Sequence, residues 1–203
     1  MSGNALSVLV FVCVLPASFC HAADALSAKS FLGPIPGVRY FYADGHGTEM
    51  TVRGIAWTDS GVLMVEEETV FPALPSEECG GMRTLSEVYG LYVVDSRLMR
   101  RGYPLNGGVK DSILLDLGTK HWANPVALLP AGTHDLHRAT PGLNVCRQAD
   151  KTQRKLFGKE RTVLAIRCSR NIPSKYASDI GLIGQGNMEL VHIEVGGKKV
   201  GTY

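Results

Sequence analysis

The sequence predicts an all-β protein: an antiparallel curved sheet of the half-barrel or open-barrel kind, with room for one short helix. Three observations lead there. Segments rich in aromatic and β-branched residues recur at short intervals, Gly, Asp and Asn punctuate them, and helical periodicity is weak almost throughout.

The first element is not part of the sheet. From Ala5 to Phe19 the chain is almost wholly apolar, and Pro16 interrupts it before the small residues Ala22 and Ala23. That is the apolar region and cleavage region of an export signal, although no Lys or Arg precedes it. Cys20 and Ala22 supply the small residues that signal peptidase needs, so the signal spans residues 1–22 and the mature chain starts at Ala23. Ala23-Asp24-Ala25 offers a second site, with a start at Leu26. The apolar run is shorter than the roughly 20 residues of a bilayer span. Phe19 stands where lipid attachment to Cys20 would want a small residue. The expectation is one domain over residues 23–203, periplasmic or secreted, with no transmembrane segment.

Strands follow in quick succession. Gly33-Pro34-Ile35-Pro36-Gly37 forms a rigid lead-in loop, and Asp44-Gly45-His46-Gly47 separates strands at Val38 to Ala43 and Glu49 to Trp57. Asp59-Ser60-Gly61 turns the chain into Val62 to Phe71. Further strands are expected at Met82 to Val94, Arg97 to Tyr103, Ser112 to Leu117, Thr162 to Ser169 and Met188 to Val195. Glu87 to Met99 is apolar enough to leave its type open, and Arg39-Tyr40-Phe41-Tyr42 alternates poorly, as if buried on both faces.

Cysteine usage fits an oxidising compartment. Cys13 and Cys20 leave with the signal, so Cys79, Cys146 and Cys168 remain. A hairpin with the three-residue loop Leu156-Phe157-Gly158 sets Lys155 opposite Lys159, and the same register sets Cys146 opposite Cys168. A cross-strand disulfide between Cys146 and Cys168 is therefore expected, conditional on export to the periplasm. The alternative is two buried thiols. Cys79 has no evident partner, and its acidic setting opposes thiolate formation; pairing of Cys79 with either of the other two is the further alternative.

Overall charge is nearly balanced, 21 basic against 19 acidic residues, which gives no reason to expect nucleic acid. Its distribution is uneven. Eight acidic residues between Trp57 and Asp95 face Arg83 alone, and nine basic residues from Arg147 to Lys175 face Asp150 and Glu160. The plain reading is two solvated faces that attract each other. The sharper one makes Arg154, Lys155, Lys159 and Arg161 a partner-binding surface for an acidic envelope protein or lipid.

Candidate catalytic and metal motifs are weak. Thr58-Asp59-Ser60-Gly61 resembles half of an aspartic protease signature, but those enzymes need two such aspartates and only one copy is present, so a turn is the expected role. His134-Asp135-Leu136-His137 has the spacing to share a metal on a helix, with His46, His121 or Cys79 as third ligand. Flanking Ala131-Gly132 and Pro141-Gly142 favour a loop instead. No cofactor is implied.

Three stretches carry a resemblance. Phe31 to Tyr42 leads a Pro/Gly loop into aromatic residues, with Tyr40 at the Trp position of a Gly-x-x-Trp-x-Tyr pattern. Leu117-Gly118-Thr119-Lys120-His121-Trp122 forms a mid-chain Gly-x-x-x-Trp element. Tyr176 to Ile183, followed by Glu189-Leu190, is similar to a closing Tyr-Ala-x-Gly-Val-Gly-Leu-Val pattern, with Asp179 replacing a Gly. Together they resemble a loosely defined group of bacterial exported proteins and lipoproteins, many of unknown function. The resemblance implies a curved antiparallel sheet like the half-barrels of periplasmic lipoprotein carriers, and no catalytic residues.

The leading functional expectation is a non-catalytic periplasmic protein that binds an apolar ligand, a lipid or an envelope partner. The alternatives are an accessory component of a secretion, pilus or surface-assembly machine and, lower, a metal-dependent or aspartyl hydrolase.

Overall fold

Strand β1 (Val38–Ala43) sets the pattern of the molecule: Tyr40 and Tyr42 point to one side and are buried, while Arg39 on the other is exposed. Phe41 escapes that alternation because it lies stacked on His192, ring centroids 4.2 Å apart, so the strand is two-sided rather than buried on both faces. The computed structural model describes residues 26–72, 83–102, 110–128, 140–169 and 172–202. The expected signal, Cys79, His134 and His137 lie outside the described residues.

After β1 come β2 (Glu49–Trp57), β3 (Leu63–Phe71), β4 (Arg83–Val94), β5 (Arg97–Gly102), β6 (Lys110–Asp116) and β7 (His121–Leu128). Then follow β8 (Thr140–Leu156), β9 (Lys159–Cys168), β10 (Ser174–Ala177), β11 (Gly181–Gln185), β12 (Met188–Val195) and β13 (Lys198–Thr202). All pair antiparallel in one sheet, ordered β6-β5-β4-β3-β2-β1-β12-β11-β10-β9-β8-β7, with β13 beside β12. The sheet curls almost into a barrel. Glu87 to Met99, of open type in sequence, is a hairpin: β4 and β5 joined at Asp95-Ser96, where Asp95 takes a φ of 52°. The short helix is a single 3-10 turn, Ala28–Phe31.

The barrel has one seam, between β6 and β7. These strands are consecutive, yet no backbone ladder joins them. The Asn124 side chain takes the place of a strand there: its Oδ1 accepts from Ile113 N–H at 2.8 Å and its Nδ2 donates to Ile113 O at 2.9 Å. Trp122 Nε1 also donates to Ile113 O, at 3.2 Å. A primary amide carries the donor and acceptor of a peptide group, so one buried Asn satisfies both backbone groups of Ile113.

A sheet of this many strands encloses more volume than its side chains fill. The N-terminal segment occupies one end of it. Phe31 is buried against Leu98, Leu115, Trp122, Leu164 and Tyr176, Asp179 N–H donates to Ser30 O, and the Tyr40 hydroxyl donates to Ile180 O at 2.7 Å. Contact is close enough that a Cβ on Gly33 would stand 2.2 Å from Ile180 O, and one on Gly54 would stand 2.4 Å from Pro34 O. At both positions only glycine lets the backbones approach. The opening and closing motifs of the sequence thus form one plug, and Asp179, at a φ of 60°, keeps the left-handed turn that a glycine would make. Short turns gather at this plugged end, whereas the connections that follow Phe71, Gly102 and Leu128 leave from the opposite one.

The β8–β9 hairpin corrects the expected register. The loop is two residues, Phe157-Gly158, with Leu156 opposite Lys159 and Lys155 opposite Glu160 rather than Lys159. Both loop residues have positive φ, 50° and 78°, the geometry whose twist matches paired strands. A bulge between Gln148 and Asp150 then absorbs one residue and returns Cys146 to its place opposite Cys168. The two cysteines form a disulfide, Sγ–Sγ 2.06 Å.

Candidate binding cavity

Between the plug and the opposite end lies an internal cavity of about 290 Å³. Phe31, Gly33 and Pro34 form its floor, and side chains from most of the strands form its wall. Alternation explains which residues reach it. On β3, Leu63 and Val65 are wholly buried, and two residues further on the same face carries Glu67 into the wall.

Tyr42, Tyr89 and Tyr176 line the same space, together with apolar Val52, Leu91 and Ile166. The charged groups in the wall are Glu67 and Arg100. Arg100 lies over the Tyr89 ring, 3.9 Å from its centroid, and its Nη2 meets the half-exposed Glu87 carboxylate at 2.8 Å. Glu67 stands directly across from Glu87 in the β3–β4 ladder and receives one hydrogen bond, from the Tyr89 hydroxyl at 3.2 Å.

The electrostatics follow from this layout. Burial raises the pKa of Glu67 and outweighs the opposing pull of Arg100 and then of the Tyr89 hydroxyl, with a smaller upward push from the Glu87 charge. Burial also pushes Tyr176 up to about 12, with Arg100 opposing it, and raises Tyr42 and Tyr89. All three phenols are neutral at physiological pH. The Tyr42 hydroxyl donates to Leu182 O at 2.8 Å. Among the described residues the Tyr176 hydroxyl has no hydrogen-bond partner.

The residues singled out in sequence fall in different places. Cys146 and Cys168 are in the cavity wall. Arg154, Lys155 and Lys159 are exposed on the β8–β9 hairpin, but Arg161 is not available with them: its side chain is 10% exposed and donates to Ser178 O and Asp179 Oδ2, both at 2.9 Å. Among the described residues the ion pairs of the acidic and basic segments run to other strands rather than to each other. Glu66 pairs with Arg53 and Glu87 with Arg100, while Lys175 pairs with Glu189. Asp59 is exposed in the β2–β3 turn, where Thr58 and Gly61 make the closing hydrogen bonds. His46 and His121 lie at opposite ends of the barrel. Among the described residues no three His, Cys, Asp or Glu side chains are grouped to hold a metal.

No protein family, curated protein or solved structure matches the chain. The cavity itself therefore carries the functional reading. Glu67, Tyr89, Arg100 and Tyr176 were missed in sequence, and for Glu67 a signal was present. It sits within the acidic run Glu66-Glu67-Glu68, but only the middle residue continues the inward alternation of Leu63 and Val65.

Proposed function

We propose that this chain is an exported, non-catalytic binding protein of the cell envelope that takes a small, largely apolar ligand into its barrel. The observation that supports this reading is the cavity: a space near the lower end of the roughly 300–1,000 Å³ range of ligand pockets, walled by apolar and aromatic side chains with a few converging polar groups. The apolar run over Ala5 to Phe19 and the Cys146–Cys168 disulfide support export.

Uptake of an environment-sensitive apolar dye tests it. Dye fluorescence should rise on mixing with the wild-type protein, and Val52→Phe, which fills the wall from inside, should abolish the rise while leaving the circular dichroism spectrum unchanged. Equal uptake by both proteins would move the dye to the outer surface and sink the reading.

A second reading, an accessory role in an envelope assembly machine, draws on the exposed Arg154, Lys155 and Lys159. Reversing those three charges should then reduce crosslinking to an acidic envelope partner, and unchanged yield would remove it.

A further inference from the structure

The polar half of the cavity has a chemistry that the apolar half does not explain. Arg100 is matched by Glu87 in direct contact, so the guanidinium brings no direct ion pair to Glu67. Among the described residues Glu67 joins no ion pair at all, and its one hydrogen bond is the long one from Tyr89. In the same cavity wall the Tyr176 hydroxyl makes no hydrogen bond to the described residues. A carboxylate and a phenol that open on one cavity without a full set of protein partners are the polar groups that can fix the head group of a ligand there.

The sign of that ligand follows from what is already there. Two carboxylates, Glu67 and Glu87, stand across one ladder step, and the Arg100 guanidinium pairs with Glu87. An anionic head group would add a third negative charge to this set. A cationic head group supplies the donor and the charge that Glu67 lacks, and the faces of aromatic rings attract organic cations through their quadrupoles.

We propose that the cavity binds an organic ammonium group, held by the Glu67 carboxylate and the rings of Tyr42, Tyr89 and Tyr176, with the Tyr176 hydroxyl as a further contact. The apolar remainder of such an amine lies toward Val52, Leu91 and Ile166. This assignment rests on the interior-binding reading above and names the class of ligand. The raised pKa of Glu67 agrees with it, since a carboxylate short of positive charge gains most from a bound cation.

Titration calorimetry with n-hexylammonium, n-hexanol and n-hexanoate on the full, disulfide-bonded protein provides the test. A charge-assisted hydrogen bond predicts that n-hexylammonium binds about tenfold more tightly than n-hexanol, with n-hexanoate weakest. Glu67→Gln should erase that preference, bringing n-hexylammonium and n-hexanol to similar affinities, and Tyr176→Phe should weaken n-hexylammonium by a few-fold. If n-hexanol or n-hexanoate binds as tightly as n-hexylammonium, or Glu67→Gln leaves the order intact, the ammonium assignment is overturned while interior binding stands. If none of the three binds and the dye is not taken up, both are overturned.

Discussion

At the plugged end Tyr40 donates to Ile180 O, and the Asp116 carboxylate, 1% exposed, gathers Arg97, Ser96 and Gly118 N–H. In the cavity, by contrast, the Tyr176 hydroxyl has no hydrogen-bond partner and Glu67 has one among the described residues. The same strands build both regions. Asp116 shows how a carboxylate is kept for stability: burial raises its pKa, but the Arg97, Gly118 and Ser96 hydrogen bonds outweigh burial and hold it below the usual range. Glu67 shows the opposite balance, which folding alone gives no reason to retain.

Several substitutions break or sharpen that contrast. Phe31→Ala should have the largest effect, a loss of roughly 3–5 kcal/mol in denaturant unfolding, because it empties the centre of the plug. A loss under about 1 kcal/mol would mean that the plug is not structural. Next, Cys146→Ser with Cys168→Ser opens a cross-link spanning 22 residues and should cost roughly 2–4 kcal/mol. The disulfide would prove dispensable if reduced and oxidised protein melted together.

Asn124→Ala should come third, at roughly 1–3 kcal/mol, since it strips the partners from Ile113 N–H at the seam. Amide hydrogen exchange at Ile113 should accelerate in that variant, and unchanged protection would show that the strands seal without the side chain.

The two carboxylates also predict opposite pH behaviour. The stabilisation from Asp116, whose folded pKa is lowered, is fully present above its unfolded pKa of about 3.9 and is lost as pH falls through the folded value. Glu67, whose folded pKa is raised, opposes folding once ionised, and that penalty vanishes as pH falls below its unfolded value of about 4.3. The stability deficit of Asp116→Asn should therefore shrink only in strong acid, whereas the difference between Glu67→Gln and wild type should shrink between neutrality and about pH 4. Parallel curves for the two variants would refute the contrast.

Much of the plugged region was legible in sequence, because backbone constraints write themselves there as Gly, Pro and aromatic residues. β1, β2 and β12 have the expected boundaries, and the three motif stretches meet at Phe31, Trp122 and Tyr176. β8 was legible only as the hairpin arm that sets Cys146 opposite Cys168, since Arg147 to Lys155 is polar in nearly every position and offers no alternation of its own. β7 was hidden by Asn124 and Pro125, residues that suit an unladdered edge. The Cys146–Cys168 pairing was foreseen from a register one residue out at the turn, which the bulge after Gln148 restores. The cavity was illegible because it depends on which residues meet across β3, β4, β5 and β10, and a run such as Glu66-Glu67-Glu68 looks like a solvated face until its inward member is known.

The most direct test is the thermal unfolding of Glu67→Gln without ligand at neutral pH. Gln keeps the shape and can still accept from Tyr89, but it carries no charge to desolvate. If Glu67 is held for a ligand rather than for the fold, the variant melts above the wild type; melting below it would show that the carboxylate stabilises the barrel and contradict the account.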